Sequence, residues 1–295
     1  MIRLKNYFYL LALLVSISSC YKDSEDDIYY NPEPESPSEL NVYNLALGNP
    51  SGAQPDENME ENYLIEVPQY AISYSRSRGI PNWVSWYLND EWIGDAERQN
   101  DFRANQSLPV SWYWVEGGDY DYSDNGFSRG HNCPSADRTI TTTDNSATFL
   151  MTNVIPQAPE HNEELWVDLE NYCRSLVRNQ NQELYIIMGN YGEGGIGDAG
   201  YREKLADGKV TVPRYIWKIV VVLPEGEDDV NRISNDTRVI AVLTENKNAA
   251  ASKNWGAYRV SVDEIENATG YDFLSNVPEN IQAIIEAEVD NGPIQ

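Results

Sequence analysis

Apolar residues recur along the chain at strand length, and then at helix spacing. Tyr70-Ala-Ile-Ser-Tyr74 and Trp83-Val-Ser-Trp-Tyr-Leu88 are rich in aromatic and β-branched residues and flank an Arg-Gly-Ile-Pro-Asn turn, which predicts a hairpin. Glu183-Leu-Tyr-Ile-Ile-Met188, Tyr215-Ile-Trp-Lys-Ile-Val-Val-Val-Leu223 and Arg238-Val-Ile-Ala-Val-Leu243 are nearly continuous apolar runs, the pattern of a sheet covered on both faces. Ala147-Thr-Phe-Leu-Met-Thr152 also reads as a buried strand, with the residues leading into His131 as its partner. The period then changes. Leu165, Leu169, Cys173 and Leu176 form the apolar stripe of a helix. Beside them Asn162, Trp166, Glu170 and Arg174 recur every four residues, each turned only roughly 40° from the last, so the polar members share the rim of the helix. The local unit is β-β-α.

That unit carries the candidate chemistry. His131, one of two histidines in 295 residues, follows an Arg-Gly pair. A neutral imidazole is a good general base near neutral pH, and a carboxamide oxygen such as that of Asn162 binds a hard cation while leaving most of its waters in place. The bland alternative is a histidine and a glutamate that satisfy one another beside a core. His161, next to Asn162, is expected at the solvated surface. The glycine-rich stretch from Gly189 to Gly200 lacks a following Gly-Lys-Ser/Thr and reads as a long surface loop rather than a phosphate cradle. Ser261-Val-Asp-Glu264 is a capping box that opens a helix.

The run Ser128-Arg-Gly-His131, then Cys-Pro-Ser-Ala-Asp-Arg138, then Thr152-Asn-Val-Ile-Pro-Gln-Ala-Pro159 and Asn162, Trp166, Leu169, Glu170 and Arg174 resembles the DNA/RNA non-specific endonuclease family of the ββα-metal superfamily. The likeness extends more loosely from about Tyr70 to about Ile285, through Ile265 to Phe273, which resembles the family's ending. It implies an α+β fold: a central, mostly antiparallel sheet flanked by helices, with the active site on the β-β-α unit. It implies an enzyme that hydrolyses phosphodiesters of DNA and RNA with Mg²⁺, or Mn²⁺, as cofactor. His131 is then the general base and Asn162 the metal ligand. Glu170 orients the metal's water shell, and Arg174 stabilises the transition state. Arg98-Gln-Asn-Asp-Phe-Arg103 resembles the segment that supplies another arginine, with Arg98 preferred and Arg103 second. Arg129 and Arg138 are further candidates for holding substrate. Ser128 stands where the family pattern has Asp.

The ends and the charge complete the picture. Residues 1–20 have Arg3 and Lys5, an apolar run from Tyr7 to Val15, and Ser16-Ile-Ser-Ser-Cys20, the layout of a bacterial lipoprotein signal. Its apolar run is shorter than the roughly 20 residues that cross a bilayer. Cys20 is the expected lipid attachment point, which places the protein in a bacterial cell envelope, anchored to the outer membrane. Residues 21–69, with Asp23, Glu25, Asp26, Asp27, Glu33, Glu35 and Glu39 among Pro32, Pro34 and Pro37, read as an acidic tether ahead of a nuclease domain at 70–290. The formal net charge is −26, and loss of Arg3 and Lys5 with the leader makes it −28. That balance argues against tight, processive binding of nucleic acid, because phosphate neutralisation drives such affinity. It leaves room for a local basic cleft built from Arg98, Arg129, Arg138, Arg174 and a divalent ion. With Cys20 lipidated, Cys133 and Cys173 remain as an even pair expected to be bridged in an oxidising compartment. The rival function is a catalytically impaired lipoprotein at the cell surface that binds nucleic acid, or glycans through its tryptophans.

Overall fold

The computed structural model describes residues 43–295. The leader, Cys20 and the acidic stretch up to residue 42 lie outside the described residues. Strands β1 (Tyr63–Val67), β2 (Tyr70–Ser75) and β3 (Ile80–Leu88) form a meander. A short helix α1 (Tyr122–Asn125) precedes β4 (Ser128–His131), and α2 (Thr142–Ala147) precedes β5 (Val154–Gln157). Helix α3 (Val167–Gln180) then leads into β6 (Gln182–Tyr191). Two small ribbons follow, β7 (Gly195–Gly197) with β8 (Gly200–Arg202) and β9 (Lys204–Leu205) with β10 (Val210–Thr211). The chain closes with β11 (Tyr215–Pro224), α4 (Asp229–Arg232), β12 (Arg238–Glu245), β13 (Arg259–Val260), α5 (Val262–Thr269) and α6 (Glu279–Ile285).

Seven strands make one antiparallel sheet in the order β1-β2-β3-β6-β11-β12-β13. The expected hairpin is β2-β3, and Pro81, which has no N–H for a ladder, sits beside the register shift at Ser73/Tyr74. The three apolar runs are β6, β11 and β12, buried along nearly their whole length. Alternation along the strands assigns the two faces. Val84, Met188 and Lys218 lie in one row across β3, β6 and β11, and Trp83, Gly189 and Trp217 in the adjacent row. The first row faces α3, since Trp166 at its start donates Nε1–H to Met188 Sδ at 3.2 Å. The second faces the segment after α5, where Trp217 meets Phe273 edge-on at 5.1 Å between ring centres. Both faces are covered. Gly189 is required because a Cβ there would stand 2.3 Å from Cζ2 of Trp217 and 2.6 Å from the carbonyl oxygen of Asn82.

Two boundaries differ from the expectation. The sheet begins before residue 70: β1 pairs with β2 throughout, and Leu47, Ala53, Leu64 and Ile65 join the core. The strand Tyr63-Leu-Ile-Glu-Val67 is itself mostly apolar, but it is short and follows the acidic run at 56–61, whose composition hid it. The strand expected at 147–152 is instead the end of α2 and a 3-10 turn, and the partner of β4 is β5, residues 154–157. Asn153 explains the shift: it closes the turn and leaves Val154 as the first residue in extended register.

The C-terminal part packs two short helices together. Ser261 Oγ caps α5 by accepting from the N–H of Glu264, and the N–H of Asp263 donates to the carbonyl of Glu286 just beyond α6. Burial, and then the carboxylates of Glu266, Asp263 and Asp272, push the Glu286 carboxyl up to about 8. Among the described residues no helix is long and apolar enough to cross a membrane.

Gly189→Ala should lower stability by about 1–3 kcal/mol, the usual cost of overpacking a filled core, read from the urea midpoint at unchanged slope.

Candidate active site

Strand β4 is held in place by sequence-local and distant partners together. All four of its residues pair with β5. Gly130 has no side chain because a Cβ there would stand 2.1 Å from Oε1 of Gln157. Asn153 then clamps the loop that follows: its Oδ1 accepts from the N–H of Cys133, its Nδ2 donates to the Cys133 carbonyl, and its own carbonyl accepts from the N–H of Asn132. The position of His131 is therefore set by backbone pairing and by Asn153. Ser128 contributes only a 3.5 Å contact to the Glu163 carboxylate.

The turn after His131 distributes three arginines. Ser135 Oγ accepts from Nη1 of Arg98 at 2.6 Å. Asp137, buried, accepts from Nη1 of Arg174 at 2.7 Å and from the indole N–H of Trp86 at 3.0 Å. Burial opposes the charge on Arg174, but Asp137 and Glu170 outweigh it and hold the guanidinium above its ordinary value. Arg138 is the third, and it turns inward. Fully buried, it donates to the carbonyls of Gln69, Tyr87 and Asp137 and lies 4.1 Å over the ring of Trp92. It ties the turn to β3 and does not reach substrate, contrary to the expectation from its charge.

Helix α3 is entered through a π-helical turn, His161–Trp166. This wider turn breaks the four-residue phase, so Trp166 is buried against Met188 while Asn162 lines an open cleft. His161 is the anchor of the turn rather than a surface residue. Its Nδ1 meets Nε2 of Gln157 at 2.7 Å and its Nε2 meets Oγ1 of Thr244 at 2.6 Å. Thr244 donates its own proton to the carbonyl of Ile216, so it accepts here, and the ring carries its proton on Nε2. Burial, and then Lys218, push this imidazole down to about 3.

Lys218 is the residue that sequence reading passed over. It projects from β11, 1% exposed, with its ammonium 3.4 Å from Oε1 of Glu170 and 5.0 Å from the ring centre of Trp166. A lone lysine inside a nine-residue apolar run was the available signal. Burial pushes the Glu170 carboxyl up, while Lys218 and Arg174 pull it down.

Arg98, Arg129 and Asn162 share a cleft of about 620 Å³ with Ser128, Glu163 and Phe102. His131 adjoins it through rings: it lies 5.2 Å from Phe102 and 4.8 Å from Phe149, while Arg129 covers Phe102 at 4.3 Å and Arg98 covers Phe149 at 4.9 Å. Strand alternation puts Arg129 and His131 on the same side of β4. Burial, then Arg98 and Arg129, push the His131 imidazole down to about 3, and its Nε2 is buried without a hydrogen-bond partner. Burial holds the Arg98 guanidinium below its ordinary value, and Glu170 only partly offsets this. Glu170 and Arg174 stand outside the cleft lining and are linked to it through Lys218, Asp137 and Arg98. Arg103 is engaged elsewhere, on the Asp101 carboxylate and the Ser146 carbonyl.

One further expectation is corrected. Cys133 and Cys173 are free, buried thiols, pushed up to about 12 by burial. Cys133 is held by Asn153 and Cys173 continues the apolar stripe of α3, so each fills core as a small hydrophobe. Trp83 and Trp86 are also core, which removes them as a platform for glycans or bases.

A family model described as DNA/RNA non-specific endonuclease matches residues 50–280. The chain belongs to this family. It is 52% identical over 247 residues to a nuclease of Nostoc sp. (strain PCC 7120), covering 84% of this chain and 86% of that one. It is 28% identical over 219 residues to human mitochondrial endonuclease G, covering 70% and 68%, and 25% identical over 240 residues to mouse mitochondrial nuclease EXOG, covering 75% and 62%. A chain in the crystal structure of the EndoG/EndoGI complex superimposes with a TM-score of 0.65 at 20% identity, covering 83% of this chain and 95% of that chain. The fold is thus the α+β, ββα-metal nuclease fold, and the endonuclease is a nucleic-acid hydrolase of a metal-dependent family.

Arg138→Met should destabilise the endonuclease by about 1–3 kcal/mol for each carbonyl left unpaired, with the substrate KM of the folded fraction unchanged. His161 takes up no proton in the fold until about pH 3, whereas the unfolded chain does so below its ordinary 6.5. The unfolded state therefore binds more protons in that window, and the contribution is lost as pH falls. The stability difference between wild type and His161→Gln should shrink by up to about 1.4 kcal/mol per unit from pH 6.5 downward, measured by urea unfolding.

Proposed function

We propose that the protein is a sequence-non-specific, Mg²⁺-dependent endonuclease for DNA and RNA, with His131 as general base and Asn162 as the protein's metal ligand. The observation that carries this reading is the buried, unpartnered Nε2 of His131 beside two cleft arginines. In it His131 takes the proton from a water whose oxygen attacks phosphorus, the P–O3′ bond breaks, and the 3′-oxygen leaves to be protonated by solvent. The products end in 5′-phosphate and 3′-hydroxyl. Arg98 and Arg129 meet the phosphate at the cleft, and Arg174, held by Asp137, adds positive potential behind it.

The donor set fits a hard cation. The Asn162 carboxamide lines the cleft without a hydrogen-bond partner among the described residues, and the Glu163 carboxylate lies beside it. Oxygen donors of this kind accept Mg²⁺ or Mn²⁺. Bound there, such an ion supplies Lewis-acid stabilisation of the charge that develops on the phosphate and the leaving oxygen. Glu170, fixed by Lys218, is in this reading the group that orients the surrounding waters.

The two arginines that help depress the His131 imidazole also attract the phosphate. Bound substrate places negative charge beside them, and this restores basicity to His131 as the reaction begins. Contacts made to phosphates rather than base edges support the lack of sequence preference. The same reading puts the enzyme on a lipid at Cys20, ahead of an acidic linker, in a bacterial cell envelope; the leader pattern in the sequence supports this.

Nicking of supercoiled plasmid by the full chain in Mg²⁺ tests the assignment. His131→Ala should lose about 10²–10⁴-fold in rate. Asn162→Ala should require more Mg²⁺ for half-maximal nicking. Equal activity of wild type and both variants at limiting Mg²⁺ would refute these roles.

A further inference from the structure

The C-terminal helices hold a second set of oxygen donors, on residues outside the cleft. Asp263 and Glu266 lie three apart on α5 and so share one helix face, and Glu286 follows α6 directly. One carboxylate oxygen from each lies within 4.8 Å of the others. Glu286 is only 6% exposed, and its Oε1 is buried with no hydrogen-bond partner. Glu266 is oriented by the N–H of Phe273, which donates to its Oε1 at 2.7 Å. Asp272 adds a fourth negative charge, and no lysine or arginine is among the groups acting on Glu266 or Glu286. A buried carboxylate without a donor or a counter-charge is costly. Glu286 is in that position, and with the half-buried Asp263 and Glu266 converging on it the three describe a cage that lacks its positive centre.

We propose that Asp263, Glu266 and Glu286 form a divalent-cation site, separate from the catalytic one, that takes Ca²⁺ and braces α5 against α6. All-oxygen, carboxylate-rich donors select a hard cation. Three protein carboxylates favour calcium, which takes about six to eight oxygens in flexible geometry, whereas Mg²⁺ keeps several waters and is usually held by one or two carboxylates. The ion supplies the partner that Glu286 Oε1 lacks and offsets the repulsion among the carboxylates. Because α6 is only seven residues long, this bridge fixes the end of the chain to the sheet through α5.

The test is thermal unfolding of the full chain in EDTA, in Ca²⁺ and in Mg²⁺, using Asn162→Ala protein so that the catalytic ligand does not contribute. Ca²⁺ at a hundredfold excess over its Kd should raise the midpoint by roughly 5–10 °C. The shift should vanish in the Asp263→Asn/Glu266→Gln variant. Glu286→Gln, which replaces the crowded, buried carboxyl by a neutral amide, should unfold at a higher midpoint than its parent in EDTA and should lose the response to Ca²⁺. Calorimetric titration of Asn162→Ala with CaCl₂ should give one site, a readout that does not depend on any variant of the cage folding. No bound Ca²⁺ in that titration, or an equal Ca²⁺ shift with and without the Asp263 and Glu266 carboxylates, overturns the proposal, and an equal response to Mg²⁺ overturns the choice of ion. Nicking assays read the catalytic site alone, so failure here leaves the nuclease assignment to its own test.

Discussion

A buried ammonium decides where helix α3 lies. Lys218 rises from the middle of the sheet into a space walled by Trp86 and Trp166, where an isolated charge would be expensive. Glu170 is its partner, and Glu170 is on α3. Removing either member would leave the other uncompensated, at about 3–5 kcal/mol for pairs of this kind. The helix is therefore fixed in rotation as well as in place, and with it Arg174 over Asp137 and Asn162 at the cleft. Apolar packing alone would fix the helix less sharply, since Leu165, Leu169, Cys173 and Leu176 tolerate small rotations that an ion pair does not.

The turn from Asn132 to Arg138 does comparable work with hydrogen bonds. Ser135 holds Arg98, Asp137 holds Arg174, and Arg138 fastens the turn itself to the carbonyls of Gln69 and Tyr87. Positive charge is thereby gathered around one cleft of a chain whose formal charge is −26. Fields are set locally by which groups face a low-dielectric wall, so an acidic surface and a basic cleft coexist. A protein of this charge meets a polyanion without holding it along its length, which suits cleavage followed by release.

Part of the candidate site's placement was legible. His131, Asn162, Glu170 and Arg174 lie on the two elements expected, and the hairpin and the three long strands fall where their periodicity placed them. What was illegible has a common cause. Arg138, His161 and Lys218 are polar residues that local context assigns to water, yet each is buried because partners 48 to 83 positions away satisfy it. The strand at 63–67 is apolar but short, and the acidic run just before it masked it. The thiols of Cys133 and Cys173 illustrate the converse: an even count invites pairing, but each fills its own place in the core.

By itself the sequence determined the local alternation, the helix stripe and the order of chemical groups along the β-β-α unit. These follow from chain geometry over a few residues. Only the tertiary structure decided which arginines line the cleft and which are staples, that a π-helical turn swings Asn162 into the cleft, and that a single lysine orients the helix. Those outcomes depend on burial and on charges brought together from distant positions, and the free energy of a charged or hydrogen-bonding group is set by its surroundings rather than by its neighbours in the chain.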